Sequence, residues 1–440
     1  MSMIIRIPSI CFMLLVMLGL SACGDKDVIL PGDREAILDD IALPETDDAA
    51  FAEGAGIGDA VPNIIFGHPG LLPSHSGGHL ALELPLKKIW SVKIGDSADL
   101  GTLMAQPVAS QNMVFAITPD AMLSAVDITD GRMIWSHQIE DRFDQTQPGI
   151  SGGIGFADGQ IYAHAGGHAL VRLDAATGDE IWRKNFDLPI LGGPTVADKY
   201  LAVTDFDGRL IVMDASDGQT LWTRIGNTET TRVLGVSSPA IVKNELVFAG
   251  NDAEVSALET NQGGFLWGDN LSSLLPRTAL DQINAIIGHP VHAGGMVYVG
   301  SISGRFAAFN TKTGSPVWEM ILPSHQMPWI AGKSIFVVST KGRVYALRRT
   351  DGALRWITSL PGAIPLDVSV SDDPIRHLGP VVAGGKVLVL DHNGRAFFLN
   401  PDTGDIENNL SISHQISAPP IVSGGTLIVL DDSGRLYAYR

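Results

Sequence analysis

The stretch Ala125-Val126-Asp127-Ile128-Thr129-Asp130-Gly131-Arg132-Met133-Ile134-Trp135 decides the fold, because its pattern A-x-D-x-x-x-G-x-x-x-W recurs along the chain. It returns with Asp174, Gly178 and Trp182, with Asp214, Gly218 and Trp222, and with Ala257, Glu259, Gly263 and Trp267. Later copies carry Ala308, Asn310, Gly314 and Trp318, then Ala346, Arg348, Gly352 and Trp356. A seventh, Asn400 to Gly404, has Asn408 in place of the Trp, and an eighth stops at Tyr437-Ala438-Tyr439-Arg440. The Trp-to-Trp steps starting at Trp90 are 45, 47, 40, 45, 51 and 38 residues. A repeat of roughly 40–45 residues is the size of one propeller blade.

Four strands can be read within a unit. Pro290-Val291 opens a first strand, Gly294-Gly295 turns it, and Met296 to Val299 is a second. Ser303-Gly304 turns again, Arg305 to Phe309 is a third, and Pro316-Val317-Trp318 begins a fourth after Thr313-Gly314. β-branched and aromatic runs bounded by glycine turns are strand signals. The Gly of the phrase permits the positive φ of a tight turn, and the Asp or Asn before it can cap that turn. Trp90, Trp135, Trp182, Trp222, Trp267, Trp318 and Trp356 are expected to dock on the next blade, each needing a partner for its N–H.

The ends of the repeat imply closure. The last unit supplies three strands, and Lys88-Ile89-Trp90-Ser91-Val92-Lys93-Ile94 is a fourth strand without its first three. Joining them removes the exposed sheet edge. The expectation is an all-β, eight-bladed β-propeller of four-stranded antiparallel blades, closed by an N-terminal strand and occupying residues 86–440.

Residues 1–22 read as a signal peptide: Arg6 is followed by a run from Ile7 to Leu20 that is apolar but too short to span a bilayer. Leu20-Ser21-Ala22-Cys23 resembles the bacterial lipobox, which makes Cys23 the acylated N-terminus and the lipid its membrane anchor. In lipoproteins of this kind an Asp after the Cys signals inner-membrane retention. Gly24 stands there instead, which directs the expectation to the periplasmic face of the outer membrane. The other cysteine, Cys11, falls within the signal, so the mature chain has no disulfide. Residues 23–85 are expected to form a largely disordered tether, since residues 24–60 hold eleven acids and two bases. Net charge is −18 with no basic stripe, which excludes nucleic acid as a partner.

No motif for catalysis, metal or cofactor stands out. His289 and His292 bracket a strand start without a third ligand, and His164 and His168 sit around Gly166-Gly167. The Gly-Gly pairs precede no helix and read as hairpin turns rather than phosphate loops. Asp205-Phe206-Asp207-Gly208 and Asp391-His392-Asn393-Gly394 lack the remaining ligands of a calcium loop. Arg209, Arg305, Arg343, Arg395 and Arg435 each follow Gly at the start of a third strand, either paired with nearby acids or forming a rim of guanidinium groups.

The repeat resembles the tryptophan-docking repeat of quinoprotein dehydrogenases. It also resembles that of the BamB family, the lipoprotein B subunits of the outer-membrane β-barrel assembly machinery. The lipobox, the segment Leu30-Pro31-Gly32-Asp33-Arg34-Glu35-Ala36-Ile37-Leu38 and the lead-in from His68 through His75, Gly77-Gly78-His79-Leu80 to Trp90 are similar to the latter. The vicinal cysteine pair and the haem motif of the former are missing. The resemblance implies a non-enzymatic scaffold without a cofactor. Its implied partners are the periplasmic domains of the A subunit, other members of the complex and unfolded outer-membrane proteins. It further implies docking through two loops that precede Pro239 and Pro290. Here those loops carry Arg232, Val233 and Leu234, and Asp281, Asn284, Ile286 and Ile287 as partner-binding residues. Where that family places an Arg directly before the Gly, this chain has Leu234. The other two readings are a quinone-dependent dehydrogenase and a periplasmic propeller that binds peptide by strand addition.

Overall fold

The computed structural model describes residues 43–97, 104–139, 152–226, 237–250, 252–273, 283, 285–365, 375–412 and 415–440. Eight four-stranded sheets form, each antiparallel and in sequence order except the last. We number the blades 1–8 by their innermost strands: Val108–Ala109, Gly153–Ala157, Thr195–Ala197, Ala240–Val242, Val291–Ala293, Trp329–Ala331, His377–Ala383 and Ile421–Ser423. Blade 8 takes its outermost strand, Lys88–Lys93, from the other end of the chain, and that strand pairs with Arg435–Tyr439. The expected closure is therefore present, and Lys87 and Arg440 exchange backbone hydrogen bonds beside it.

The repeated phrase works as one device at each blade contact. The turn glycines from Gly131 to Gly404 all hold positive φ. A Cβ on Gly131 would lie 2.8 Å from the ring of Trp90, and one on Gly314 2.3 Å from Trp267. The glycine is thus required twice, for its backbone and for the space the previous blade's indole occupies. Each indole N–H then donates to a carbonyl of the same turn: Trp90 to Ile128, Trp135 to Ala175, Trp182 to Ala215 and Trp222 to Thr260. Trp267, Trp318 and Trp356 do the same with Thr311, Arg349 and Pro401. The irregular seventh copy now has a reason. Asn408 faces blade 8, whose third and fourth strands are joined by no turn because the two chain ends meet there. An indole at position 408 would have no glycine turn to receive it.

Residues 43–85 correct the expectation of a disordered tether reaching to residue 85. Asp47 caps the short helix Asp48–Ala52 by accepting from the Ala50 N–H, and its own N–H donates to Leu354 on the outer strand of blade 6. Arg355 is completely buried beneath this helix, bonded to the Ala50 carbonyl and to Glu53. Residues 63–80 then run once around the ring, touching each inner strand in blade order. Asn63 meets Val422 and Gly424 of blade 8, and Phe66 makes two backbone hydrogen bonds with Ala109 of blade 1. The Gly67 carbonyl accepts from Phe156 of blade 2, and the His68 ring from Val196 of blade 3. The Pro73 and Ser74 carbonyls accept from Ile241 of blade 4 and His292 of blade 5. Gly78 bonds Ile330 and Trp329 of blade 6, and Leu80 bonds Val382 and Gly384 of blade 7. The turn closes on itself, since Val61 donates to His79 and accepts from Ala81. This collar satisfies inner-strand backbone groups that the four-stranded pattern alone leaves open.

Candidate functional site

The inner strands converge on a central cavity of about 440 Å³. Its lining comes from the entry end of each inner strand: Gln106, Gly153, Gly193, Ser238, His289, His325, Arg376 and Ser417, one per blade. The collar binds the opposite, exit ends, and its Pro69 reaches the cavity wall. The space is thus a cup at the ends where the inner strands begin. Most of its wall is apolar, with Met104, Val108, Ile154, Leu191 and Ile287 among the lining residues.

The polar members are held in defined states. The Ser238 N–H donates to Nδ1 of His289 at 2.8 Å, so a neutral His289 carries its proton on Nε2. Burial pushes the pKa of His289 down to about 4. His325 is also depressed to about 4, first by burial and then by the positive charge of Arg376. The Arg376 guanidinium has no hydrogen bond or ion pair with any described residue, and neither has the His325 ring. Ser238 is buried with an unpaired Oγ. Beside the cup, burial raises the Asp432 carboxyl, while Ser417 Oγ donates to it at 2.6 Å. His75 packs its ring 5.4 Å from that of His289 and bonds the Pro290 carbonyl through Nδ1.

The expected lipidation site and partner-binding residues divide in three. Cys23, Arg232, Val233, Leu234, Asp281 and Asn284 lie outside the described residues. Ile287 is half-buried and lines the cup. Ile286 is fully buried among Ala240, Val247, Val255, Val299 and Ala307, so in this structure it belongs to the core between blades 4 and 5. An expectation that treats Ile286 as an available contact is corrected here: apolar character in a loop marked core packing instead. The seven tryptophans donate to carbonyls of the next blade's turn, as described above.

The Gly-Arg recurrence is explained by turn geometry. Arg209 and Arg395 fold back onto Asp205 and Asp391, four residues earlier, at 2.8 and 2.7 Å. Arg305 bonds Glu319 and the Asn270 carbonyl. The Gly-Arg recurrence is thus a turn whose first residue caps it: Asp205, Asp391 and Asp431, or Ser301 and Ser339, each accepts the Arg backbone N–H. Among the described residues no group of three His, Cys, Asp or Glu is placed to hold a metal. No helix among them is long and apolar enough to cross a membrane. The collar escaped the sequence reading, although the alternation of Gly67, Pro69, Gly70, Pro73 and Gly77-Gly78 signals a chain that bends continually.

With the geometry in place, comparison with known proteins is informative. A family model described as outer membrane protein assembly factor BamB matches residues 121–358. The assembly factor BamB of Yersinia pestis is 25% identical over 339 residues, covering 76% of this chain and 83% of that protein. That of Escherichia coli K12 is 23% identical over 320 residues, covering 72% and 78%. Among solved structures, BamB from Moraxella catarrhalis superposes with a TM-score of 0.68 at 21% identity, over 81% of this chain and 100% of that one. A quinohemoprotein alcohol dehydrogenase from Comamonas testosteroni gives 0.65 at 14% identity, over 89% and 84%. These two superpositions speak to the fold alone.

Proposed function

The chain belongs to the family of outer membrane protein assembly factor BamB, and from that premise we propose that it is a non-enzymatic scaffold of outer-membrane β-barrel assembly. In this reading Cys23 carries the lipid that holds the protein at the periplasmic face of the outer membrane. The propeller docks on periplasmic domains of the A subunit and presents that subunit, with the rest of the complex, to unfolded outer-membrane proteins. The observation that carries the proposal is the match of the family model over more than half of the chain. The ring supports it physically: seven indole-on-glycine contacts and a collar on all eight blades make a rigid frame, and loops on rigid frames are where recognition resides.

The docking surface we propose is the rim of the cup at blades 4 and 5, through Arg232, Val233, Leu234, Asp281, Asn284 and Ile287. Leu234 is the residue to test, since Ile286 serves the core. Leu234→Asp would place a carboxylate in a desolvated contact, at a cost of roughly 2–5 kcal/mol if unpaired. Co-purification with the A subunit from solubilised envelope should fall at least tenfold while the melting temperature of the isolated variant stays within about 1 °C. Undiminished co-purification would remove Leu234 from the interface.

Anchoring has a separate test. Cys23→Ala should move the protein from the outer-membrane fraction to the soluble periplasmic fraction after a high-salt wash, because the acyl chains are the only direct contact with the bilayer invoked. Retention in the outer-membrane fraction at high salt, without lipid, would refute the Cys23 assignment.

A further inference from the structure

Several polar side-chain groups in the cup have no hydrogen-bond partner among the described residues. Buried polar atoms are nearly always hydrogen-bonded, so the buried, unpaired Ser238 Oγ calls for an explanation, and half-buried Arg376 and His325 stand beside it in the lining. Ser238 is 1% exposed and its Oγ has no partner. The Arg376 guanidinium and the His325 ring line the same space, and neither bonds a described residue. His289 directs its protonated Nε2 away from Ser238, whose backbone occupies Nδ1. These donors lie on blades 4 to 7. The facing blades 2 and 3 contribute Gly152, Gly153 and Gly193 with Ile154 and Leu191. The cation and most of the donors therefore lie on blades 4 to 7 among apolar Ile287, Ile302, Met327 and Leu378, while blades 2 and 3 offer apolar surface and backbone and blades 1 and 8 add Gln106 and Ser417. A cavity of about 440 Å³ with this division has the size and character of a small-molecule site.

We propose that the cup binds a small, largely apolar molecule bearing a carboxylate, the carboxylate taken by Arg376 beside His325 and the body laid against Ile154 and Leu191. Planar bidentate pairing is what a guanidinium supplies to a carboxylate, and it is strongest where water is excluded. Among the described residues the acid beside Arg376 is Asp432, which is held by Ser417 and makes no ion pair with the guanidinium. The charge on Arg376 is thus left available to a ligand. This site is independent of the docking reading, because it concerns the interior of the ring rather than its rim.

The test uses the full chain and ligand-observed NMR, with 2-naphthoate as probe and 2-naphthamide as its uncharged counterpart. Saturable binding of the acid, with the amide at least tenfold weaker, is the expected result. Arg376→Gln should weaken the acid at least tenfold and leave the amide unchanged, and Arg376→Lys should restore part of the loss. Ile302→Trp, which fills the cup from a half-buried position on blade 5, should abolish both while the thermal melt confirms folding. Acetyl-glycyl-phenylalanine with a free or amidated end separates the two sources of the carboxylate. Binding of the free-ended peptide extends the site to chain termini, and binding of naphthoate alone restricts it to free acids. Equal affinity of acid and amide, equal affinity in wild type and a folded Arg376→Gln, or no saturable binding of either probe would overturn the proposal and leave the cup as a water-filled channel.

Discussion

A chain beginning at residue 86, with every strand of the ring but no collar, should melt on the order of 10 °C below one beginning at residue 43. Phe66 and Leu80 are 0% and 1% exposed in the collar, and burying such a side chain contributes roughly 1.5–3 kcal/mol. Backbone hydrogen bonds to the inner strands, at about 0.5–1.5 kcal/mol each, add to this. Fixing the collar costs conformational entropy of about 1–2 kcal/mol per residue, which offsets a large part of these gains. The truncation also removes the helix that covers Arg355, together with Glu53 and the Ala50 carbonyl, so the outer strand of blade 6 loses both its cover and these bonds. At roughly 2 °C per kcal/mol for a large domain, a drop of this size reports a net contribution of about 5 kcal/mol from the collar and helix together.

The same experiment separates the two halves of the N-terminal region. Residues 24–42 carry Asp25, Asp27, Asp33, Glu35, Asp39 and Asp40 against Lys26 and Arg34. Chain of this composition buries little, so beginning at residue 43 rather than 24 should leave the melt unchanged. Scans at a fixed rate by circular dichroism compare the three. Equal melting of the 43–440 and 86–440 chains would mean that the collar lies on the ring without supporting it.

The contrast between what was legible and what was not has a physical origin. The phrase from Ala125 to Trp135 was readable because every element in it is local: Asp127 caps its own turn, Gly131 makes it, and period-two strands flank it. Repetition then supplied the tertiary contact, since Trp90 must meet the next copy at Gly131 as Trp135 meets Gly178. Even the defect at Asn408 followed from the position of the chain ends. The collar was illegible because it has no period. Its partners are Ala109, Phe156, Val196, Ile241, His292, Ile330, Val382 and Gly424, up to hundreds of residues away, and its acidic, glycine-rich start resembles solvated chain. Ile286 failed for a related reason. Loop hydrophobics can serve a partner or the core, and only the position of Val247 and Ala307 around it decides. The cup was equally hidden, because His289, His325 and Arg376 fall on three different repeats.

Acid should unfold this ring through its histidines before its carboxylates are involved. His68 and His164 are 2% and 0% exposed, and burial lowers their pKa values to about 3 and about 4. Geometry requires the neutral form. Val196 N–H donates to Nε2 of His68 at 3.0 Å, and Gly166 N–H to Nδ1 of His164 at 3.2 Å, positions a protonated ring could not offer as acceptors. In the unfolded chain both rings titrate near 6.5. Between that value and the folded values the unfolded state binds more protons, so stability rises with pH across the window. It is present in full above about pH 6.5 and is lost progressively as the pH falls toward 4. Each unit of depression corresponds to about 1.4 kcal/mol, so even two units at one ring withdraw about 3 kcal/mol. The lowered carboxyls of Glu53 and Asp351 act in the same direction but only at lower pH, below the ordinary carboxylate range. Calorimetric melts of the full chain from pH 7.5 to 4.5 should show the midpoint falling most steeply between pH 6 and 4.5. His68→Gln keeps an acceptor for Val196 without a titrating ring, so it should lower the melting point at pH 7.5 but flatten its dependence on pH. A wild-type midpoint that does not change from pH 7 to 5, or a folded His68→Gln with the wild-type slope, would show that these rings do not control the acid limit.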